Sequence, residues 1–259
     1  METRSWEEIL DPYRLAVEEL VVKWNHVIEE YRHQGMYSPI EQVKGRVKTV
    51  ASIMEKLKRK EYSIQELEEK MEDLAGIRIL CQYMEDIDQV VEMIRHRSDM
   101  EIKSTKDYIS HAKDSGYRSY HVIIFYEVNT IYGAKRIQVE IQIRTLAMDF
   151  WATVEHSLAY KYQGRIPEGT KERLSNVAEE LLLLDMEMSN VRNVIMDEKC
   201  RERGKEEKAG RLVRSTVFEP KGQGRRKIRR TGKASRIQMR KNKTGMRYQH
   251  ESRPIKETV

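Results

Sequence analysis

The chain reads as an α+β protein, a mixed α/β domain whose strands and helices lie between two long helical stretches. Three observations lead there. Apolar residues step by three and four over residues 10–31 and again over 174–195, which marks one face of a helix. Between them, Ile137, Val139, Ile141 and Ile143 alternate with Gln138, Glu140, Gln142 and Arg144, which is the period of a strand. With 259 residues, 39% hydrophobic and 35% charged, the chain can bury one good-sized core under a charged surface.

The elements follow in order. The first helix carries Leu10, Tyr13, Val17, Leu20, Trp24, Val27 and Tyr31 on one face and ends near Gly35. Pro39 suits the first turn of a second helix, along which Val43, Val47, Val50, Met54 and Leu57 repeat the spacing. Ser63 with Glu66 three residues on is a capping-box pattern and starts a short helix. Residues 75–83 read as a strand and 86–97 as a helix, with further strands near 101–107, 122–128 and 136–144. Residues 145–162 return to helix, with Ala147, Phe150, Trp151, Val154 and Leu158 on one side. The stripe Leu174, Val177, Leu181, Leu184, Met188, Val191 and Ile195 closes the domain. The first and last stripes are narrow, and suit either packing on the sheet or an interface between copies of the chain.

The net charge of +6 is unevenly divided. The first 198 residues hold 27 Lys and Arg against 36 Asp and Glu, the remainder 21 against 6. Two regions are expected: a folded, acidic body over 1–198 and a basic tail over 199–259, too charged to offset its ordering entropy and hence mostly disordered. Basic character is a property of the tail, where it permits electrostatic contact with RNA that falls steeply with salt. Cys81 and Cys200 provide neither a disulfide framework nor a zinc spacing. No apolar run approaches the roughly 20 residues that cross a membrane, and the first residues hold no signal-peptide core. A cytoplasmic protein is expected.

Several segments could carry chemistry. Residues 113–121, Lys-Asp-Ser-Gly-Tyr-Arg-Ser-Tyr-His, combine Lys113, Tyr117 and His121 with a glycine, as a loop that stacks a purine and holds its phosphates requires. Lys48, Ser52, Lys56 and Arg59 form one helical stripe of about 16 Å, long enough to follow a polyphosphate, with Arg46 just beyond. Equally, such a stripe is what a solvated helix face presents. Asp73 precedes a strand that contains Arg78; an acid there can hold Mg²⁺ or simply close a turn. Glu140 lies on the polar side of its strand, fit to ligate a metal or act as general base. Asp86 and Asp88 resemble a paired-aspartate metal site but stand at a helix start, where acids cap. Glu155-His156 lacks the second histidine of a zinc-protease helix.

Gly-Arg-Val-Lys (45–48) with Ser52 and Lys56, Asp73-Leu-Ala-Gly-Ile-Arg78, Lys106-Asp-Tyr-Ile, the 113–121 loop, Glu140-Ile-Gln-Ile-Arg-Thr and Phe150-Trp-Ala with Glu155-His156 occur in one order. In that order the chain, from about residue 6 to 196, resembles the synthetase domain of RelA/SpoT-type alarmone synthetases (GTP pyrophosphokinases), in the single-domain branch of small alarmone synthetases. The resemblance implies a nucleotidyltransferase-like domain with a central mixed sheet of about five strands flanked by helices. It implies transfer of the β,γ-pyrophosphate of ATP to the 3′-hydroxyl of GDP or GTP, with Mg²⁺. Arg46 and Arg78 would sandwich the adenine, while Lys48, Ser52, Lys56 and Arg59 meet the ATP phosphates. Asp73 and Glu140 would bind the metal, Glu140 would also take the 3′-hydroxyl proton, and Tyr117 would stack on guanine. Lys113, His121 and Gln142 complete the acceptor side.

Departures from relatives carry expectations too. The His-Asp hydrolase motif of the long forms is absent, and too little chain precedes Arg46 for such a domain, so synthesis without hydrolysis is expected. Some relatives are tetramers with an alarmone pocket in a central cleft. The matching positions hold Val21, Asn25, Gln42, Lys44 and Asp149, in place of Lys, Lys, Phe, Thr and Asn, so tetramers with weak or no pppGpp activation are expected. Two rivals stand: a weakened synthetase fold that holds RNA through the tail, and pyrophosphate transfer to another purine nucleotide.

Overall fold

Helix α1 (Trp6–His33) begins where the sequence supplies a cap. Ser5 Oγ accepts from Glu8 N at 3.2 Å, and Glu8 Oε2 accepts from Ser5 N at 2.9 Å, so two free donors of the first turn are satisfied reciprocally. The computed structural model describes residues 5–161 and 169–216. Along α1 the expected stripe is buried at Leu10, Tyr13, Val17, Leu20 and Trp24.

The helix expected to start at Pro39 is replaced by two elements. Strand β1 covers Gln42–Val47, and helix α2 covers Val50–Lys60. A step of four residues returns to the same face in a strand as well as in a helix, so Val43 and Val47 satisfy both periods. Thr49 marks the actual start, its Oγ1 accepting from Ser52 N at 3.3 Å. Lys48 therefore stands between β1 and α2, off the stripe shared by Ser52, Lys56 and Arg59.

A 3-10 turn (Ile64–Glu66) and the short α3 (Leu67–Lys70) follow, with the Ser63/Glu66 capping box in place. Then come β2 (Ala75–Cys81), α4 (Met84–Arg95), β3 (Glu101–Asp107), β4 (Tyr120–Thr130), β5 (Gly133–Thr145), α5 (Leu146–Lys161) and α6 (Thr170–Thr216). Asp86 caps α4, accepting from Tyr83 N at 3.2 Å. Helix α6 runs past residue 199, where disorder was expected to begin; Glu, Lys, Arg, Ala and Leu dominate that stretch and are strong helix formers. The rest of the expected tail, 217–259, lies outside the described residues. The chain divides into two compact units, residues 1–207 and 208–259; in the second, 208–216 are helical.

The strands form one sheet in the order β1-β2-β5-β4-β3, with β2 and β5 parallel and the other neighbours antiparallel. One face is apolar. Ile77, Ile79, Val122, Ile124, Val139, Ile141 and Ile143 are buried there, beneath α1 and α4. At about 1.5–3 kcal/mol for each buried side chain of this size, that face holds the domain together and leaves the other free for polar groups.

Helix α1 lies directly on β1. A Cβ at Gly45 would stand 2.4 Å from Val17 Cγ1 and 2.8 Å from Val21 Cγ2. Gly45→Ala is expected to force the two elements apart at a cost of about 1–3 kcal/mol, read as a lower urea midpoint. Unchanged stability would refute this close approach.

Asp99 ties α1 to the segment before β3, with Lys23 Nζ at 2.9 Å and Arg97 Nη2 at 2.7 Å. The Arg97 hydrogen bond, joined by that of Lys23, outweighs partial burial and holds the carboxyl well below its ordinary range. A carboxyl lowered in the folded state stabilises above its unfolded pKa of about 3.9, and that contribution is lost as pH falls through the folded value. Asp99→Asn is therefore expected to destabilise at pH 7, by an amount that shrinks in acid. Urea unfolding at each pH measures this; a pH-independent difference would contradict it.

Candidate active site

The polar face of the sheet assembles most of the residues singled out in the sequence. Strand register sets Arg46 opposite Gly76, Gly76 opposite Glu140, Arg78 opposite Gln142, and Gln142 opposite His121. All alternate with the apolar set, so they share the other face. Arg46 lies across Gly76, its Cγ and Nε 3.5 and 3.6 Å from where a Cβ would stand, an ordinary van der Waals distance. Arg46, Arg78, His121, Glu140 and Gln142, with Asp73, Lys113, Tyr117 and Arg144, line a cleft of about 460 Å³ that α5 completes through Ala152, Thr153, Glu155 and His156. That volume falls in the roughly 300–1,000 Å³ range of ligand sites.

Asp73 precedes β2, and the pairing of β1 with β2 brings the end of β1 beside it; Lys48 N donates to Leu74 O at 2.9 Å. Lys48 Nζ reaches Asp73 Oδ2 at 2.8 Å, and Lys56 Nζ, from α2, reaches Oδ1 at 2.8 Å. Burial pushes the Asp73 carboxyl up, but hydrogen bonds from the two lysines prevail and hold it below its ordinary value.

Glu140 is gripped from two sides. His121 Nδ1 lies 2.9 Å from Oε1, and Gln142 Nε2 donates to Oε2 at 2.8 Å. Burial raises this carboxyl and the nearby Asp73 charge adds to that, yet the contact with His121 brings it below its ordinary value. Both carboxyls are thus ionised at neutral pH, and each is already engaged by cationic or amide donors.

The 113–117 turn closes with Gly116 N donating to Lys113 O at 2.8 Å and Lys113 N donating to Tyr117 O at 3.2 Å. Gly116 has φ +88°, and a Cβ there would meet Ala178 Cβ of α6 at 2.6 Å, so only glycine fits. Tyr117 Oη lies 2.9 Å from His121 Nε2. Lys113 Nζ sits 4.7 Å from the centroids of both Tyr108 and Tyr117.

Four expected members do not line this cleft: Lys48 and Lys56, which reach it through Asp73, and Ser52 and Arg59, which stand apart. Ser52 is engaged at the start of α2, where its Oγ accepts from Thr49 Oγ1 at 2.9 Å. Arg59 is exposed, and does not line the cleft. Conversely, Arg144 and the α5 residues Thr153, Glu155 and His156 had no assigned role. The signal for Arg144 was present: it continues the alternation of Glu140 and Gln142. Asp149, assigned to a regulatory pocket, is instead buried and paired with Arg78 at 3.1 Å and Arg144 at 3.2 Å.

Comparison with known proteins matches the region found in RelA / SpoT proteins to residues 45–165. The GTP pyrophosphokinase YjbM of Bacillus subtilis is 50% identical over 197 residues, spanning 76% of this chain and 93% of that protein. The fold matches the crystal structure of small alarmone synthetase 1 from Bacillus subtilis bound to its product pppGpp, with a TM-score of 0.71 and 52% identity over 73% of this chain and 96% of that one. It also matches that synthetase bound to AMPCPP, with a TM-score of 0.65 and 47% identity over 74% and 98% of the two chains.

Proposed function

We infer the reaction from one premise: this chain belongs to the RelA/SpoT family, in its small alarmone synthetase branch. It is a (p)ppGpp synthetase, a GTP pyrophosphokinase. The observation that carries the residue roles is the pair of ionised carboxylates, Asp73 and Glu140, facing one cationic cleft between the β1–β2 edge and the 113–121 loop.

In this reading ATP lies on the β1–β2 side. Arg46 and Arg78 hold the adenine, Lys48, Lys56 and Arg59 meet the phosphates, and Ser52 marks the α2 N-terminus, which favours anions. GDP or GTP lies on the loop side, its guanine against Tyr117 and its ribose and phosphates near Lys113, His121 and Gln142. The acceptor 3′-oxygen attacks the β-phosphorus of ATP, the bond from that phosphorus to the α,β-bridging oxygen breaks, and AMP leaves. Glu140 accepts the proton from the 3′-hydroxyl. Such transfer rests on positioning and charge stabilisation, which the cleft's arginines and lysines supply.

Magnesium suits the donors present. Among the described residues no group of three or more His, Cys, Asp or Glu could hold a metal. Two carboxylates are enough for Mg²⁺, which takes its other ligands from water and phosphate oxygens. Asp73 and Glu140 would hold it, and when bound it neutralises charge on the transferred group.

Incubation with labelled ATP, Mg²⁺ and GDP, GTP, GMP or ADP in turn tests this. AMP together with a pyrophosphorylated guanosine nucleotide is expected; exclusive transfer to ADP would favour the rival acceptor.

Four further readings accompany it. Val177, Leu184, Met188, Val191 and Ile195 remain exposed on α6, and Phe150 on α5, which supports a homo-oligomer, by family analogy a tetramer. Weak or absent pppGpp activation is retained, because Val21 and Asn25 supply no cations there; initial rates with added pppGpp measure it, and several-fold activation would refute it. The basic tail supports RNA contact, expected to fall steeply with salt and to vanish on truncation after residue 198. Among the described residues no helix is long and apolar enough to cross a membrane, and the nucleotide substrates of this reading belong to the cytoplasm.

A further inference from the structure

Arg144 is only 4% exposed, and its guanidinium makes four hydrogen bonds from its five N–H groups. It donates to Tyr117 Oη at 2.5 Å, Gln142 Oε1 at 2.8 Å, Asp149 Oδ1 at 3.2 Å and Ser119 Oγ at 3.3 Å. Its Cζ lies 5.0 Å from the Tyr117 ring centroid. A guanidinium so occupied is not a free ligand for phosphate; its effect is on the groups it holds.

Two of those groups belong to the acceptor side. By taking Gln142 Oε1, Arg144 turns the amide so that Nε2 faces Glu140 Oε2, where it donates at 2.8 Å. By taking Tyr117 Oη, it fixes the far edge of the ring whose backbone is set by the Gly116 turn. The third group, Asp149, gives the same Oδ1 to Arg78 Nη1 at 3.1 Å. One carboxylate oxygen therefore bridges two arginines, one on β2 and one on its neighbour β5.

We propose that Arg144 is a positioning residue for the acceptor nucleotide, locking the Tyr117 ring and the Gln142 amide, with Asp149 as the carboxylate that seats both Arg144 and Arg78. The assignment rests on reading Tyr117 as the purine platform. It separates the substrates. Arg144→Gln leaves Asp149 still paired with Arg78, so it acts on the acceptor alone. Asp149→Asn leaves two positive charges facing each other, so it acts on both nucleotides. Tyr117→Phe keeps the ring and removes the hydroxyl's contacts with Arg144 and with His121, both on the acceptor side, so it shares the acceptor effect in part.

The experiment is initial-rate kinetics on the wild type and these three variants, varying GDP at saturating ATP and ATP at saturating GDP, with circular dichroism and thermal melts as controls. Loss of hydrogen bonds to a charged group predicts a rise in the GDP KM of about tenfold or more for Arg144→Gln, with the ATP KM changed by less than about twofold. Asp149→Asn raises both constants. A folded Arg144→Gln with an unchanged GDP KM, or with both constants raised alike, overturns the proposal. If that variant does not fold, Tyr117→Phe decides: a raised GDP KM supports the proposal and an unchanged one overturns it. Wild-type protein that makes no guanosine product would overturn the reading of the cleft itself, and this assignment with it; normal synthesis without the substrate split overturns the assignment alone.

Discussion

Glu140→Gln is expected to lower the transfer rate by about a hundredfold or more, the range assigned to one positioned general base, with the fold intact. The substitution is nearly isosteric, and the amide can still accept from Gln142 Nε2 through its oxygen. What it loses is the charge. Glu140 stays ionised because the His121 contact outweighs its burial, and an ionised carboxylate is what the departing 3′-hydroxyl proton requires. The KM for ATP is expected to move far less, since the adenine and phosphate contacts proposed for ATP lie on β1, β2 and α2. Single-turnover rates with pre-bound ATP separate the two; a correctly folded Glu140→Gln enzyme at the wild-type rate would remove Glu140 from the chemistry.

Asp73→Asn is expected to cost about as much, by a different route. Its carboxylate is shared by Lys48 and Lys56, so its charge organises two cations assigned to the ATP phosphates and, in the proposed function, offers one of two oxygen donors to Mg²⁺. Removing it weakens electrostatic stabilisation of the transferred group, for which single-group losses run at about 10²–10³ in rate. Both variants remove a proposed Mg²⁺ donor, so both are expected to need more Mg²⁺ for half-maximal rate. The distinguishing readout is the KM for ATP, which Asp73→Asn is expected to raise strongly because Lys48 and Lys56 lose their shared partner. A folded Asp73→Asn enzyme with wild-type rate and Mg²⁺ dependence would contradict the metal role.

Helices whose apolar stripe is buried were legible because burial enforces their period. Leu10 to Trp24 in α1 behave this way. β1 was not legible, because Val43 and Val47 sit four apart, a spacing common to strand and helix. The cost of that ambiguity was local: it put Lys48 on a helix when it is the residue just after a strand. Even so, Lys48 and Lys56 converge on Asp73 from separate segments, a convergence that depends on β1 pairing with β2. Tyr117, Glu140, Gln142 and His121 were legible as a set, since alternation on β5 and the glycine turn at 116 expose them together. Arg144 had the right phase, but only one of its partners, Gln142, lies on its own strand. Its role comes from Tyr117 and Asp149, 27 residues before and 5 after, and only the folded sheet brings these to one place. The α6 continuation to Thr216 was hidden by charge, because high net charge argues for disorder while the same Glu, Lys and Arg residues favour helix.

The most direct test of the account is transfer from ATP labelled in its β- and γ-phosphates to GDP and to 3′-deoxy-GDP, by the wild type and by Glu140→Gln. The account predicts labelled ppGpp and an equal amount of AMP from wild-type enzyme with GDP, nothing transferred to the 3′-deoxy acceptor, and little product from the variant. Label on the 3′-deoxy nucleotide, or full synthesis by a folded Glu140→Gln enzyme, would contradict it.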